Sequence, residues 1–196
     1  IVAEDRAPFR NLAGLPIAPD LTFTEAKRAD IVIVGDLAVG RDEETRGRWP
    51  AEVAWLRQQQ AQGALICSVC TGALVLGAAG LLKSKRATTH WAWREALPAF
   101  GATPDSARVV RDGNVFTGGG VTAGIDFALT VLAEIAGAAF AQSVQLRIEY
   151  APDPPFNAGR PELAPAQVLA TAQARYEEVR SARDAAVQRA AARLSS

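Results

Sequence analysis

The sequence predicts an α/β doubly wound fold, a mainly parallel sheet with helices on both faces, and three observations carry that prediction. First, Asp30-Ile31-Val32-Ile33-Val34-Gly35 and residues 64–69 are short unbroken apolar runs, the composition of strands covered on both sides. Second, segments of helical period alternate with such runs along the chain, the pattern that gives a parallel sheet. Third, the run at 64–69 passes through Cys70-Thr71-Gly72 into an apolar helical pattern that ends near Gly80. That is a strand, a sharp turn and a helix with a thiol at the corner.

Residues 1–3 fit the tail of a strand entering Glu4-Asp5. Residues 6–30 hold Pro8, Gly14, Pro16 and Pro19, a spacing that leaves room only for short extended pieces. The strand at 31–34 follows, then a polar loop over 35–48. Pro50 suits the first turn of a helix whose face is marked by Val53, Leu56 and Gln60 and which Gly63 stops. After the central strand and helix, Lys83 to Arg86 form a basic turn suited to solvent, residues 87–90 read as a short strand, and residues 91–100 as a short helix with Trp91, Trp93 and Leu97. Residues 107–111 and 114–117 flank Asp112-Gly113, a strong hairpin signal. Gly118-Gly119-Gly120 leads into a long apolar helix from about 122 to 139. Residues 142–150 alternate partly as a strand does, although the preceding helix could run on, and five prolines bar regular structure from 151–165. Val168, Ala172, Tyr176, Val179, Ala186 and Ala190 then mark one long amphipathic helix over 166–194, packing on the core or on a second subunit.

The 196 residues suit one domain, 1–196. With 21 basic and 21 acidic side chains the chain has no electrostatic footprint for nucleic acid, and its apolar windows are too interrupted for a membrane span. Two cysteines make no disulfide framework, which is compatible with a reducing cytoplasm. The chain has no Met and begins with Ile1, from which a missing N-terminal segment is expected.

The chemistry concentrates at Cys70. A nucleophile on a strand-to-helix corner is lifted off the sheet, feels the positive end of the helix, and has the next backbone N–H, that of Thr71, beside it. A helix N-terminus also lowers a thiol's pKa, and the thiolate is the reactive form. Cys67, inside the strand, reads as a small buried hydrophobe. Cys67 and Cys70 spell C-x-x-C, yet two Cys and one His fall short of the four ligands of a zinc site, and a redox dithiol does not keep its first cysteine three residues back in a strand, so no metal or cofactor is expected. His90 falls, like Cys70, at the carboxyl end of a predicted strand, where ligand crevices of such sheets lie. It reads either as a site residue or as a polar side chain bonded at a strand end.

Ser68-Val69-Cys70-Thr71-Gly72-Ala73, Gly77-Ala78-Ala79-Gly80-Leu81-Leu82, Ala87-Thr88-Thr89-His90-Trp91 and Gly118-Gly119-Gly120-Val121-Thr122-Ala123-Gly124-Ile125-Asp126 together resemble the DJ-1/PfpI superfamily. With the tail Glu149-Tyr150-Ala151-Pro152-Asp153-Pro154-Pro155-Phe156-Asn157-Ala158-Gly159 they resemble its isonitrile hydratase subgroup. The resemblance implies a flavodoxin-like three-layer sandwich lacking its first strand-helix unit, a cytoplasmic homodimer, and a small-molecule substrate. It implies Cys70 as nucleophile, Thr71 beside it through backbone N–H and hydroxyl, and His90 as the family's nearby histidine. The acidic residue that contacts the cysteine in the family belongs to that first unit. Gly35-Asp36-Leu37 stands where many members have Pro-Gly-Gly, so the backbone of Asp36 and Leu37 is the expected second half of an oxyanion hole. The activity implied is hydration of an isonitrile, or a similar small electrophile, to an N-substituted formamide. The alternatives are a non-catalytic sensor like the ligand-binding half of AraC-type regulators and a redox sensor built on an oxidisable Cys70. A small pocket lined by Trp91 and Trp93 would fit an isonitrile, although both could be plain core.

Overall fold

The computed structural model describes residues 1–10, 14–35, 50–178 and 180–194. Four short strands come first, β1 (Val2–Ala3), β2 (Phe9–Arg10), β3 (Pro16–Ile17) and β4 (Leu21–Thr22), with β1 parallel to β4 and β2 antiparallel to β3. The prolines and Gly14, at φ +81°, hold them short, as the sequence predicts. Next come β5 (Ile31–Val34), α1 (Pro50–Ala61), β6 (Leu65–Val69), α2 (Gly72–Ala78) and β7 (Arg86–Ala87). A 3₁₀ helix (Trp91–Phe100), β8 (Thr103–Pro104), β9 (Val109–Asp112) and β10 (Val115–Gly118) follow, and then α3 (Ala123–Ala136), α4 (Ala138–Arg147), α5 (Ala166–Glu177) and α6 (Arg180–Ala192).

The main sheet runs β5-β6-β10-β9, with β5 and β10 parallel to β6 and only β9 antiparallel. Successive β6 side chains point to opposite faces. Ile66 therefore joins the larger core with Trp55, Leu56, Leu74, Leu76, Leu97, Phe100 and Val187. Cys67 joins the smaller one with Phe116, Phe127 and Val131. Helices α1, α2 and α6 and the 3₁₀ helix cover one face and α3 the other, which makes the three-layer α/β sandwich expected from the alternating pattern. Gln59, fully buried in α1, bonds the adjoining 26–29 segment: its Oε1 accepts from Ala29 N at 2.8 Å and its Nε2 donates to the Lys27 carbonyl at 3.3 Å.

Several expectations change. Gln60 is exposed, and Trp55, Leu56 and Gln59 form the inner face of α1 instead. Ile33 is 60% exposed, so β5 is not covered on both faces by the described residues. The strand at 87–90 shrinks to Arg86–Ala87, because the Thr88 N–H donates to the Thr117 hydroxyl at 2.9 Å rather than to a neighbouring strand. The apolar helix after the glycines breaks at Gly137, φ +85°, and α4 takes up residues that alternate only in part. The single helix expected over 166–194 is two, α5 and α6, with Glu178 in a turn. Helix α6 buries Ala186, Val187 and Ala190 against α2 and the 3₁₀ helix, whereas α5 buries no residue. Among the described residues no helix is long and apolar enough to cross a membrane.

Candidate functional site

The corner between β6 and α2 is as sharp as the sequence demands. Cys70 has φ +58°, the left-handed region that costs an L-residue roughly 1–2 kcal/mol. Three hydrogen bonds hold it there: its N–H is shared by the carbonyls of Gly118 at 3.1 Å and Gly119 at 2.7 Å, and its carbonyl accepts from Thr89 Oγ1 at 2.7 Å. Gly72 completes the corner, since a Cβ there would lie 2.2 Å from the Val34 carbonyl oxygen and 2.5 Å from that of Gly35. Gly77 likewise lets α2 close on the Phe100 ring, 2.5 Å from where its Cβ would stand. Thr71 occupies the N-cap position of α2 and is 7% exposed. The Cys70 N–H is committed to the Gly118 and Gly119 carbonyls. Asp36 and Leu37 lie outside the described residues.

Cys67 and Cys70 are both buried. Burial pushes the Cys67 thiol up to about 12, so it stays protonated at any ordinary pH. Cys70 is 4% exposed, at the sheet's carboxyl end.

His90 stands on the other side of the same glycine turn. A Cβ on Gly120 would lie 3.2 Å from His90 Cδ2, while Gly119 touches Cys70 through the bond above. His90 caps the 3₁₀ helix, its Nδ1 accepting from Ala92 N–H at 3.3 Å. A neutral imidazole that accepts at Nδ1 carries its proton on Nε2, so the ring's other edge is a donor. Its ring makes tilted contacts with Trp91 and with Tyr176 of α5, with ring centroids 5.5 Å away in both cases. Trp93 instead packs against the larger core, so of the two tryptophans only Trp91 borders the site.

A cavity of about 270 Å³ opens here, lined by Thr88, Thr89, His90, Trp91, the 119–123 turn and Gly159 to Glu162. Thr89 and Gly119 touch Cys70 and also line the cavity, so it adjoins the thiol's backbone. The tail signature reaches it through two ties: Tyr150 donates to Asp126 Oδ2 at 3.1 Å, itself paired with Arg108, and Arg160 donates to the Ser106 carbonyl at 3.0 Å. Sequence reasoning missed Thr88, Thr89, Arg94, Arg108, Arg160 and Tyr176. The Thr88-Thr89 pair was legible as the run into His90, but nothing local marked an arginine 70 residues downstream of that histidine. Among the described residues no cluster of His, Cys, Asp and Glu could hold a metal ion.

The chain is similar to several known proteins. An isonitrile hydratase of Pseudomonas putida is 48% identical over 199 residues, spanning all of this chain and 84% of its own. The crystal structure of a ThiJ/PfpI family protein from Pseudomonas syringae superposes with a TM-score of 0.87 at 41% identity, covering 95% of this chain and 77% of that one. A helix-turn-helix-type transcriptional regulator of Pseudomonas aeruginosa is 32% identical over 148 residues, 74% of this chain but only 42% of the regulator. Residues 1–134 match the description of the DJ-1/PfpI family, and that match, on a chain built around this elbow and glycine turn, means that the protein belongs to the DJ-1/PfpI family.

Proposed function

We propose that this protein is a cysteine-dependent hydratase acting on an isonitrile or a comparably small electrophile, in the cytoplasm and as a homodimer. The observation that carries the reading is the left-handed elbow at Cys70, in a chain 48% identical to an isonitrile hydratase. An elbow residue presents its side chain to the crevice while the helix behind it supplies N–H donors. The Cys70 thiolate attacks the terminal isonitrile carbon, which takes a proton from solvent water and becomes a thioimidate. Water then adds to that carbon, the C–S bond breaks, and the N-substituted formamide leaves with the thiolate restored. The Thr71 N–H steadies the charge that develops during each attack, and His90 lines the adjoining cavity.

Cys70→Ala is expected to lower turnover of cyclohexyl isonitrile to the uncatalysed rate, followed by chromatography of the formamide. Unchanged turnover overturns the proposal. Dimerisation is checked by sedimentation velocity, with the mass of two chains expected. Ile125 and Ile135 on α3 and Phe140 and Leu146 on α4 are exposed apolar side chains available to a second copy. The similarity to transcriptional regulators supports a second reading, a ligand-binding sensor, which predicts ligand binding with no formamide from the intact chain.

A further inference from the structure

We infer that Tyr150 is a positioning residue for the proposed reaction, its hydroxyl holding, through Asp126 and Arg108, the glycine turn that grips the backbone of Cys70. The inference rests on the hydratase reading for the word reaction, but not for the tie itself.

Tyr150 is held at three points. Its N–H donates to the Gln145 carbonyl at 3.1 Å, its carbonyl accepts from Gln145 Nε2 at 3.1 Å, and its hydroxyl donates to Asp126 Oδ2 at 3.1 Å. The residue before it, Glu149, has φ +52°, a left-handed conformation that a residue with a side chain keeps only where its surroundings over-determine the backbone. That step follows the end of α4 and returns the chain so that the Tyr150 ring reaches the first turn of α3, where Asp126 stands.

The contacts continue past Asp126. Its Oδ2 also accepts from Arg108 Nε, and Arg108 Nη2 donates to Thr122 Oγ1 at 3.3 Å, so one guanidinium clips the start of α3 to the strand side. The backbone of the same arginine holds the glycine turn: the Arg108 carbonyl accepts the Gly119 N–H at 2.9 Å, and the Gly119 carbonyl accepts the Cys70 N–H at 2.7 Å. The path therefore runs from the Tyr150 hydroxyl to the Asp126 carboxylate, Arg108, Gly119 and Cys70, with a hydrogen bond at every step between residues. Cys70, at φ +58°, keeps its corner by that last bond among others, and the first bond of the path has a charged acceptor, the stronger kind. Tyr150 and Asp126 stand outside the lining of the cavity beside His90, and the cavity wall at Arg160 has its own tie to Ser106. Loosening Tyr150 therefore bears on where the thiol is held rather than on what the cavity holds.

Hydrogen exchange of the full chain, followed by NMR at the Gly119 and Cys70 amides, tests the tie without turnover. Tyr150→Phe, which removes one oxygen, is expected to accelerate both about tenfold, the change in local opening that one charged hydrogen bond controls, with circular dichroism confirming the fold. Asp126→Asn is expected to accelerate them also, and Tyr150→Phe added to it to contribute little more, since both act on one path. Acceleration confined to the amides of 149–160 overturns the inference, and so do fully additive effects of the two substitutions. In turnover of cyclohexyl isonitrile, Tyr150→Phe is expected to lower kcat about tenfold with KM changed less than about twofold. A rise in KM with kcat unchanged assigns Tyr150 to substrate binding and overturns its positioning role. Faster exchange at Gly119 and Cys70, in a chain that consumes no isonitrile even with Tyr150 intact, leaves the tie standing and removes the hydratase.

Discussion

Cys67 and Cys70 occupy one turn of sequence and two different environments. Cys67 lies against Phe116, Phe127 and Val131, with no accessible surface and a thiol pushed up to about 12, whereas Cys70 stands off the sheet at φ +58°. Alkylation with iodoacetamide near pH 8, read by peptide mass, is therefore expected to modify Cys70 and to spare Cys67 until the protein is denatured. The sign of the pH effect follows from the direction of the shift. A thiol whose pKa is raised in the folded state from an ordinary 9.0 to about 12 stabilises the fold fully below pH 9, and that contribution is lost as pH rises toward 12. Thermal melts between those two values are expected to show the decline, reduced in Cys67→Ala. The corner position of Cys70 was legible from the apolar strand before it and the Thr71-Gly72 step into a helix after it. His90 was legible only as a position: that its Nδ1 accepts from Ala92, and so fixes the donor on Nε2, depends on a helix cap the periodicity does not reveal.

At the scale of elements, the elbow exists because Gly72 lets α2 start against the end of β5. An alanine there meets two carbonyl oxygens inside any tolerable contact distance, so β5 and α2 must part. Gly72→Ala is expected to cost about 3 kcal/mol, measured by urea denaturation, and to lower turnover more than its loss of folded protein explains. Turn chemistry was what the sequence showed best. Asp112-Gly113 makes the β9–β10 hairpin with Gly113 at φ +64°, Pro50 opens α1, and Gly63 at φ +88° follows its end. Elements defined by side-chain rescue of the backbone were not visible in advance. The Thr117 hydroxyl takes the Thr88 N–H and ends β7 early, and the buried Gln59 holds the 26–29 segment by its amide, two bonds that join residues roughly 30 positions apart and leave no local pattern.

For the whole molecule, the doubly wound architecture followed from buried strands alternating with helices, and the order β5-β6-β10-β9 places the carboxyl ends of β6 and β10 side by side, with Cys70 after one and the glycine turn after the other. What patterning could not divide was the C-terminal stripe. Its apolar positions fit one helix of constant period, yet only the second half meets a core: α6 buries Ala186, Val187 and Ala190, whereas α5 buries no residue and has the Tyr176 ring contacts to His90 and Trp91. A 12-residue helix without such anchorage is marginal in water. On gentle warming, ellipticity is therefore expected to drift along a sloping baseline before the cooperative transition, and Trp91 emission to move to the red as the Tyr176 ring, 5.3 Å away, departs. Comparison with Trp91→Phe isolates that signal from the other three tryptophans. Tyr176 also packs against the His90 ring, so the imidazole loses a neighbour while the sandwich is still intact, and temperature acts on the surroundings of His90 earlier than on survival of the fold.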